Sequence, residues 1–216
     1  MDDRDRQRAV IFDFDGTIAD SLRAVINVFE DLTGRNERFT EEQIEAFREL
    51  SLPELLRELR LPKWKVPILL LRGRNMMHQH LHGIPVHKGM GQALERLHAD
   101  GIPLYVLSSN STENVENYLA WHHLSHLFAG VYGGASLLGK APRLLKLIDE
   151  QHIDVTRSWY VGDETRDVSA ARSVGLHSCS VTWGYNTHQA LERKKPDVLV
   201  ESAAELTVKL ESVWKK

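Results

Sequence analysis

Six short, continuously apolar runs most constrain the fold of this chain. They are "AVIF" (9–12), "PLYVL" (103–107), "FAGVY" (128–132), "SWYV" (158–161), "SCSV" (178–181) and "DVLV" (197–200), several of them running into Asp, Ser or Gly. Continuous rather than alternating apolar character predicts strands buried on both faces. Helical patterns fill the gaps between them. "MGQALERLHAD" stops at Gly101, "PRLLKLIDEQH" carries Pro142 near its start, "TENVENYLAWH" lies between them, and "TRDVSAARSVG" stops at Gly175. Strands alternating with helices imply right-handed crossovers and an α/β, doubly wound parallel sheet.

One region breaks this rhythm. From Ser21 to about His82 no convincing strand occurs, and the patterns "SLRAVINVFEDLTG", "TEEQIEAFREL", "PELLREL" and "VPILLLRGRNMMHQHL" are helical. Thr40 and Gln43 have the spacing of a capping box. The expected organisation is therefore an α/β core of residues 1–18 and 84–216, with an all-helical cap of residues 19–83 inserted after the first strand. The connections "GTIAD" and "GIPVHKG" contain Gly, the second also Pro, and suit hinges.

Composition bounds the function classes. The 216 residues, 42% of them hydrophobic, suffice for one substantial core and a smaller module. Thirty acidic against 27 basic residues give a net charge of −3, which argues against nucleic acid or a membrane surface as partner. Cys179 is the single cysteine, so no intrachain disulfide forms; it reads as a small core residue in a reducing compartment. The charged start "MDDRDRQRA" has no apolar signal-peptide core, and "VPILLL" (66–71) is too short to span a bilayer. The expectation is a cytoplasmic protein, with no number of subunits fixed by the sequence.

In an open parallel sheet, ligands sit beyond the carboxyl ends of the strands. The first predicted strand ends in Asp13 and Asp15, the second in Ser109 and Asn110, and the fourth in Gly162, Asp163 and Asp167; Lys140 opens a helix. Four carboxylates gathered at one edge repel each other unless protonated or neutralised by a cation. Hard carboxylate oxygens without Cys or clustered His favour Mg²⁺ over zinc. A lysine at a helix N-terminus faces the positive end of the dipole, an arrangement an anion would make favourable. Ser109 and Asn110 offer a hydroxyl and an amide suited to phosphate oxygens. A carboxylate nucleophile, a second carboxylate, a Mg²⁺ site, a lysine and a hydroxyl together suit phosphoryl transfer. The i, i+4 pairs His78/His82 and His122/His126 have neither an intervening HExxH glutamate nor a cysteine partner, so a zinc site is not expected.

The motifs "DFDGT", "SSN", "GK" and "GDETRD", in that order, resemble the haloacid dehalogenase-like (HAD) superfamily, and the helical insert resembles its phosphoglycolate-phosphatase-like branch. The resemblance runs from about Ala9 to Val200. It implies a Mg²⁺-dependent phosphatase acting on a small phosphorylated metabolite through an aspartyl phosphate. Asp13 would be the nucleophile, and Asp15 the general acid and then the base, with its backbone carbonyl on the metal. Ser109 would bind phosphate with Asn110 beside it, Lys140 would hold nucleophile and phosphate together, and Asp163 and Asp167 would ligate or support Mg²⁺. The second aspartate, Asp15, argues for phosphate transfer from oxygen esters rather than dehalogenation. A phosphomutase, or a non-catalytic regulator retaining the fold, are the rival readings. Arg48, Ser51, Arg72 and Arg74 are cap residues able to meet an anionic substrate. "TWGYN" (182–186) reads as a structural turn near the entrance.

Overall fold

The computed structural model describes residues 6–33, 38–80, 83–135 and 139–214. Its strands are β1 (Val10–Phe12), β2 (Leu104–Leu107), β3 (Gly130–Tyr132), β4 (Trp159–Gly162), β5 (His177–Val181) and β6 (Val198–Val200). Each of the six apolar runs thus overlaps a strand, with β4 and β5 each reaching one residue beyond its run. The strands form one parallel sheet in the order β3-β2-β1-β4-β5-β6. Winding reverses at β1, so the crevice beyond its carboxyl end is the topological switch point.

Alternation along β1 explains why it is apolar on both sides. Val10 and Phe12 enter one core with residues of α5 (Met90–Ala99), α6 (Thr112–Trp121) and α10 (Ala203–Trp214). Ile11 enters a second core with Leu144 and Leu147 of α7 (Ala141–Glu150) and Ala170 and Ala171 of α8 (Thr165–Val174). Each strand residue therefore removes its side chain from water on one or the other face, worth roughly 1.5–3 kcal/mol for a large apolar group. Cys179 sits in the first of these cores as a buried thiol.

Among the described residues, four α-helices lie between β1 and Ile84: α1 (Leu22–Thr33), α2 (Glu41–Arg48), α3 (Leu52–Glu58) and α4 (Val66–His80). They bury a third cluster of their own, which includes Val28, Phe29, Ile44, Leu56 and Leu69. The expected capping box at α2 is present, with the Gln43 amide donating to Thr40 Oγ1 at 3.2 Å and Thr40 N–H donating to Gln43 Oε1 at 3.0 Å. A second box, Ser51 with Glu54, starts α3. The short helix α9 (His188–Arg193) and α10 follow β5 and β6, and the sequence reading assigned neither. Among the described residues no helix is long and apolar enough to cross a membrane.

The apolar run of α4 divides between two fates. Val66 and Leu69 are buried in the helical cluster, whereas Leu71 and the preceding Trp64 are exposed. Of the histidine pairs, His82 lies outside the described residues. His122 Nε2 meets the Ile84 carbonyl at 3.1 Å, and His126 packs against His98.

Candidate active site

Residue parity at the end of β1 sorts the two aspartates. Asp13 has the parity of Ile11 and points to the α7/α8 face; Phe14 has that of Phe12 and packs edge-on against Tyr118 of α6, ring centroids 5.0 Å apart. Asp13 consequently meets groups from the two helices on its own side. Lys140 Nζ, at the N-cap of α7, lies 2.5 Å from Asp13 Oδ2 and 2.7 Å from Asp167 Oδ1. The lysine is only 1% exposed, so a solvated surface position is excluded. Asp167 is the third residue of α8 and its other oxygen accepts from Glu164 N–H at 3.0 Å, closing a capping box around the helix start.

Asp163 follows β4 and is fully buried. Its carboxylate accepts from Thr17 Oγ1 at 2.7 Å and from Tyr185 N–H at 2.7 Å. Two glycines permit this approach. A Cβ on Gly16, whose φ is +81°, would stand 2.2 Å from Asp163 Oδ2, and one on Gly184 would stand 2.3 Å from Asp163 Cβ. Asp13, Asp163 and Asp167 place carboxylate oxygens within 4.8 Å of one another.

This crowding has the expected electrostatic signature. Burial raises the Asp13 pKa to about 7, against the pull of Lys140 and with the help of Asp167. Burial, then Asp13, Glu164 and Asp167, push Asp163 well above the ordinary carboxylate range. For Lys140 burial acts downward, but Asp13 and Asp167 outweigh it and hold the ammonium well above its usual value. The buried Arg166 guanidinium also acts on Asp13 and Asp167, but it is paired with Glu164, so Lys140 and Arg166 together do not neutralise Glu164 and the three clustered acids. A hard divalent cation fits the remaining charge and the all-oxygen donor set.

Asp15 is set apart. Its carboxylate is not in the acidic cluster; it faces Asn110 Nδ2 at 3.4 Å and also takes a hydrogen bond from Ser21. The strand geometry that would have kept both aspartates together ends at Phe12, and the chain turns at Gly16. Burial raises the Asp15 pKa, while Ser21 and Asn110 oppose the rise. Asn110 is buried, its Oδ1 accepting from Ser111 N–H and Asn114 Nδ2, both at 2.9 Å. Ser109 is half-buried beside it.

A cavity of about 160 Å³ connects Asp13, Asp15, Ser109 and Asn110 with the helical insert, where Leu22, Phe29 and Phe47 line it. Of the cap residues suggested for an anionic substrate, Arg48 reaches the cavity, with its guanidinium donating to the Gly184 carbonyl at 2.9 Å and paired with Glu45 at 2.7 Å. Ser51 is engaged in its capping box, Arg72 is exposed, and the Arg74 side chain lies outside the described residues. Thr17, Gly184, Tyr185 and Asn186 line or brace the site without having been singled out as site residues. Thr17 closes the "DFDGT" motif and the other three lie in the "TWGYN" segment, whose partners lie far away in sequence.

Comparisons with known proteins agree with this geometry. Residues 10–181 match the family model described as haloacid dehalogenase-like hydrolase. The chain is 36% identical over 202 residues to a phosphoglycolate phosphatase of Synechococcus elongatus, covering 92% of this chain and 95% of that protein. It is 29% identical over 209 residues to a phosphoglycolate phosphatase of Aliivibrio fischeri, covering 89% and 91%. The structure of a haloacid dehalogenase-like family hydrolase from Streptococcus pneumoniae superposes with a TM-score of 0.77 at 20% identity, covering 94% of this chain and 98% of that one. The chain belongs to the haloacid dehalogenase-like hydrolase family.

Proposed function

We propose that this hydrolase is a Mg²⁺-dependent phosphomonoesterase that works through an aspartyl phosphate on Asp13. The observation that carries the reading is the buried contact of Lys140 with both Asp13 and Asp167 beside Asp163, at the switch point of the sheet. The relatives named phosphoglycolate phosphatases nominate 2-phosphoglycolate as the first substrate to try, and sugar phosphates as the next.

Each side chain has a distinct task. A carboxylate oxygen of Asp13 attacks phosphorus as the P–O bond to the leaving group breaks. Asp15, whose raised pKa favours carrying a proton, gives that proton to the departing oxygen. It then takes a proton from water as the water oxygen attacks phosphorus and the bond to Asp13 breaks, releasing inorganic phosphate. Lys140 holds the nucleophile in place and offsets the negative charge of the phosphoryl group. Ser109 and Asn110 bind phosphate oxygens. Asp13, the Asp15 backbone carbonyl, Asp163 and Asp167 hold or support the cation, which when bound screens the repulsion between carboxylate and phosphate. Residues 19–83 act as a cap over the core, closing the cavity and excluding bulk water.

The test is phosphate release from a panel of phosphate monoesters with Mg²⁺ present, with Asp13→Asn as control. Release that survives in Asp13→Asn sinks the nucleophile assignment. Transfer of phosphate to a sugar acceptor instead of water replaces the phosphatase with a mutase.

A further inference from the structure

The segment after β5 does more than turn the chain. Asn186 is 5% exposed and every polar group it carries, apart from its own carbonyl, is directed at a different part of the molecule. Its backbone N–H donates to the Asp163 carbonyl at 3.2 Å. Its Oδ1 accepts from Thr165 N–H at 2.9 Å, satisfying a free donor in the first turn of α8. Its Nδ2 donates to the carbonyls of Arg48 at 2.8 Å and Leu50 at 3.0 Å, at the end of α2.

The neighbours of Asn186 repeat this two-sided pattern. Towards the acids, Tyr185 N–H holds the Asp163 carboxylate at 2.7 Å. Towards the cap, Thr187 N–H donates to the Arg48 carbonyl at 3.2 Å, and Arg48 Nη2 returns a bond to the Gly184 carbonyl at 2.9 Å. Thr187 and Arg193 also bond the Glu49 carboxylate. One short loop therefore grips the 48–50 turn of the cap with one side and the Asp163 end of the acid cluster with the other.

We propose that Asn186 is a positioning residue that couples seating of the cap to the alignment of Asp163, a role that rests on the phosphatase reading above. When the cap lifts, Nδ2 loses both acceptors and two carbonyls lose their donor, so the loop is no longer braced from outside. The peptide that holds the Asp163 carboxylate belongs to that same loop. Seating of the cap thus favours the arrangement of acids that receives a cation, and by linkage a bound cation favours the seated cap. A turn with a purely local role would instead leave cation binding indifferent to changes on the cap.

Two substitutions separate these cases. Asn186→Asp keeps an acceptor for Thr165 N–H but removes both donors to the cap. Its added negative charge would by itself tighten cation binding. Arg48→Met removes the guanidinium bond to Gly184 and contacts no member of the acid cluster. Mg²⁺ is titrated calorimetrically into wild type and both variants without substrate, after thermal unfolding confirms that each is folded. Coupling predicts that the Mg²⁺ Kd rises about fivefold or more in both, at the lower end of typical coupling between linked sites. A wild-type Kd in Arg48→Met, or tighter binding in Asn186→Asp, overturns it. If Asn186→Asp fails to fold, Asn186→Ala, which removes the same two donors without adding charge, takes its place, and an unchanged Mg²⁺ Kd in that variant overturns the coupling. A wild type that neither binds Mg²⁺ nor releases phosphate removes the phosphatase reading and the coupling together; a wild type that does both, with unchanged variants, removes only the coupling.

Discussion

Lys140 Nζ lies 2.5 Å from Asp13 Oδ2, and neither side chain is more than 4% exposed. An ammonium buried this deeply is held by Asp13 and Asp167, which both face it, and it in turn offsets the repulsion between those acids. Truncating the lysine leaves the acids uncompensated. Lys140→Met is expected to cost about 3–5 kcal/mol of stability at neutral pH, the usual penalty for breaking a buried ion pair from one side. Without the lysine, Asp13 is pushed further above its ordinary value, so the folded state binds more protons than the unfolded one and stability falls as pH rises. Urea unfolding of Lys140→Met at several pH values should therefore show its deficit shrinking on acidification. A deficit that grows towards low pH contradicts the ion-pair account.

Gly184 marks the closest approach to Asp163. The added Cβ of Gly184→Ala would overlap Asp163 at 2.3 Å, and a carboxylate anchored by Thr17 and Tyr185 has nowhere to retreat. The expected stability cost is about 1–3 kcal/mol, as for overpacking elsewhere in protein interiors. Displacement of Asp163 predicts a disproportionate loss of phosphate release. Thermal unfolding and steady-state rates measured side by side check this; a variant with unchanged kcat shows that Asp163 can shift without consequence.

What the sequence could reveal followed from how local each signal is. The six strands were legible because burial on both faces writes an uninterrupted apolar run into consecutive residues. Phe14 packs where alternation from Phe12 puts it, edge-on against Tyr118. Asp13, Lys140, Asp163 and Asp167 were gathered by topology, since parallel strands bring their carboxyl ends to one edge. Asp15 was only half legible: its position at the edge was clear, but the turn at Gly16 aims its carboxylate at Asn110 and Ser21 rather than at the other acids. α9 has six residues, too few to show a helical period. α10 did carry signals, with Ser202 and Glu205 at capping spacing and Ala203, Leu206 and Leu210 on its buried face. The contacts of Asn186 with Arg48 and Leu50 join residues 138 and 136 positions apart, and no local pattern encodes them.

The acid cluster also makes a prediction about metal removal. Chelation should abolish phosphate release, and Mg²⁺ should restore it. Because the folded protein gathers the ligands and the unfolded chain does not, Mg²⁺ at about a hundred times its Kd should stabilise the fold by about 2.7 kcal/mol. Asp163→Asn removes a charge from the cluster and should erase most of this metal-dependent gain while leaving the metal-free protein folded. Thermal unfolding with and without MgCl₂ measures both quantities, and equal metal-dependent stabilisation of the two proteins would contradict Asp163 as a ligand.

His87 provides a pH test in the segment between α4 and α5. Its backbone N–H bonds the Ile18 carbonyl at 2.9 Å, its ring packs against Trp183, and its Nε2 is buried without a hydrogen-bond partner. Burial lowers its pKa below the ordinary 6.5, although Asp20 and the Gly16 backbone act in the opposite direction. The unfolded chain therefore takes up a proton at a higher pH than the folded chain does. Above the unfolded value of 6.5 neither state is protonated and His87 contributes no pH dependence. As pH falls through that value the unfolded state gains protons first, and stability declines until the folded pKa is passed. Replacing His87 with Gln should leave the urea midpoint nearly unchanged at about pH 7.5 and reduce its loss on going to about pH 5.5. A steeper acid loss in His87→Gln than in wild type would show that the ring gains a favourable partner when protonated, and that its burial does not govern acid stability in this segment.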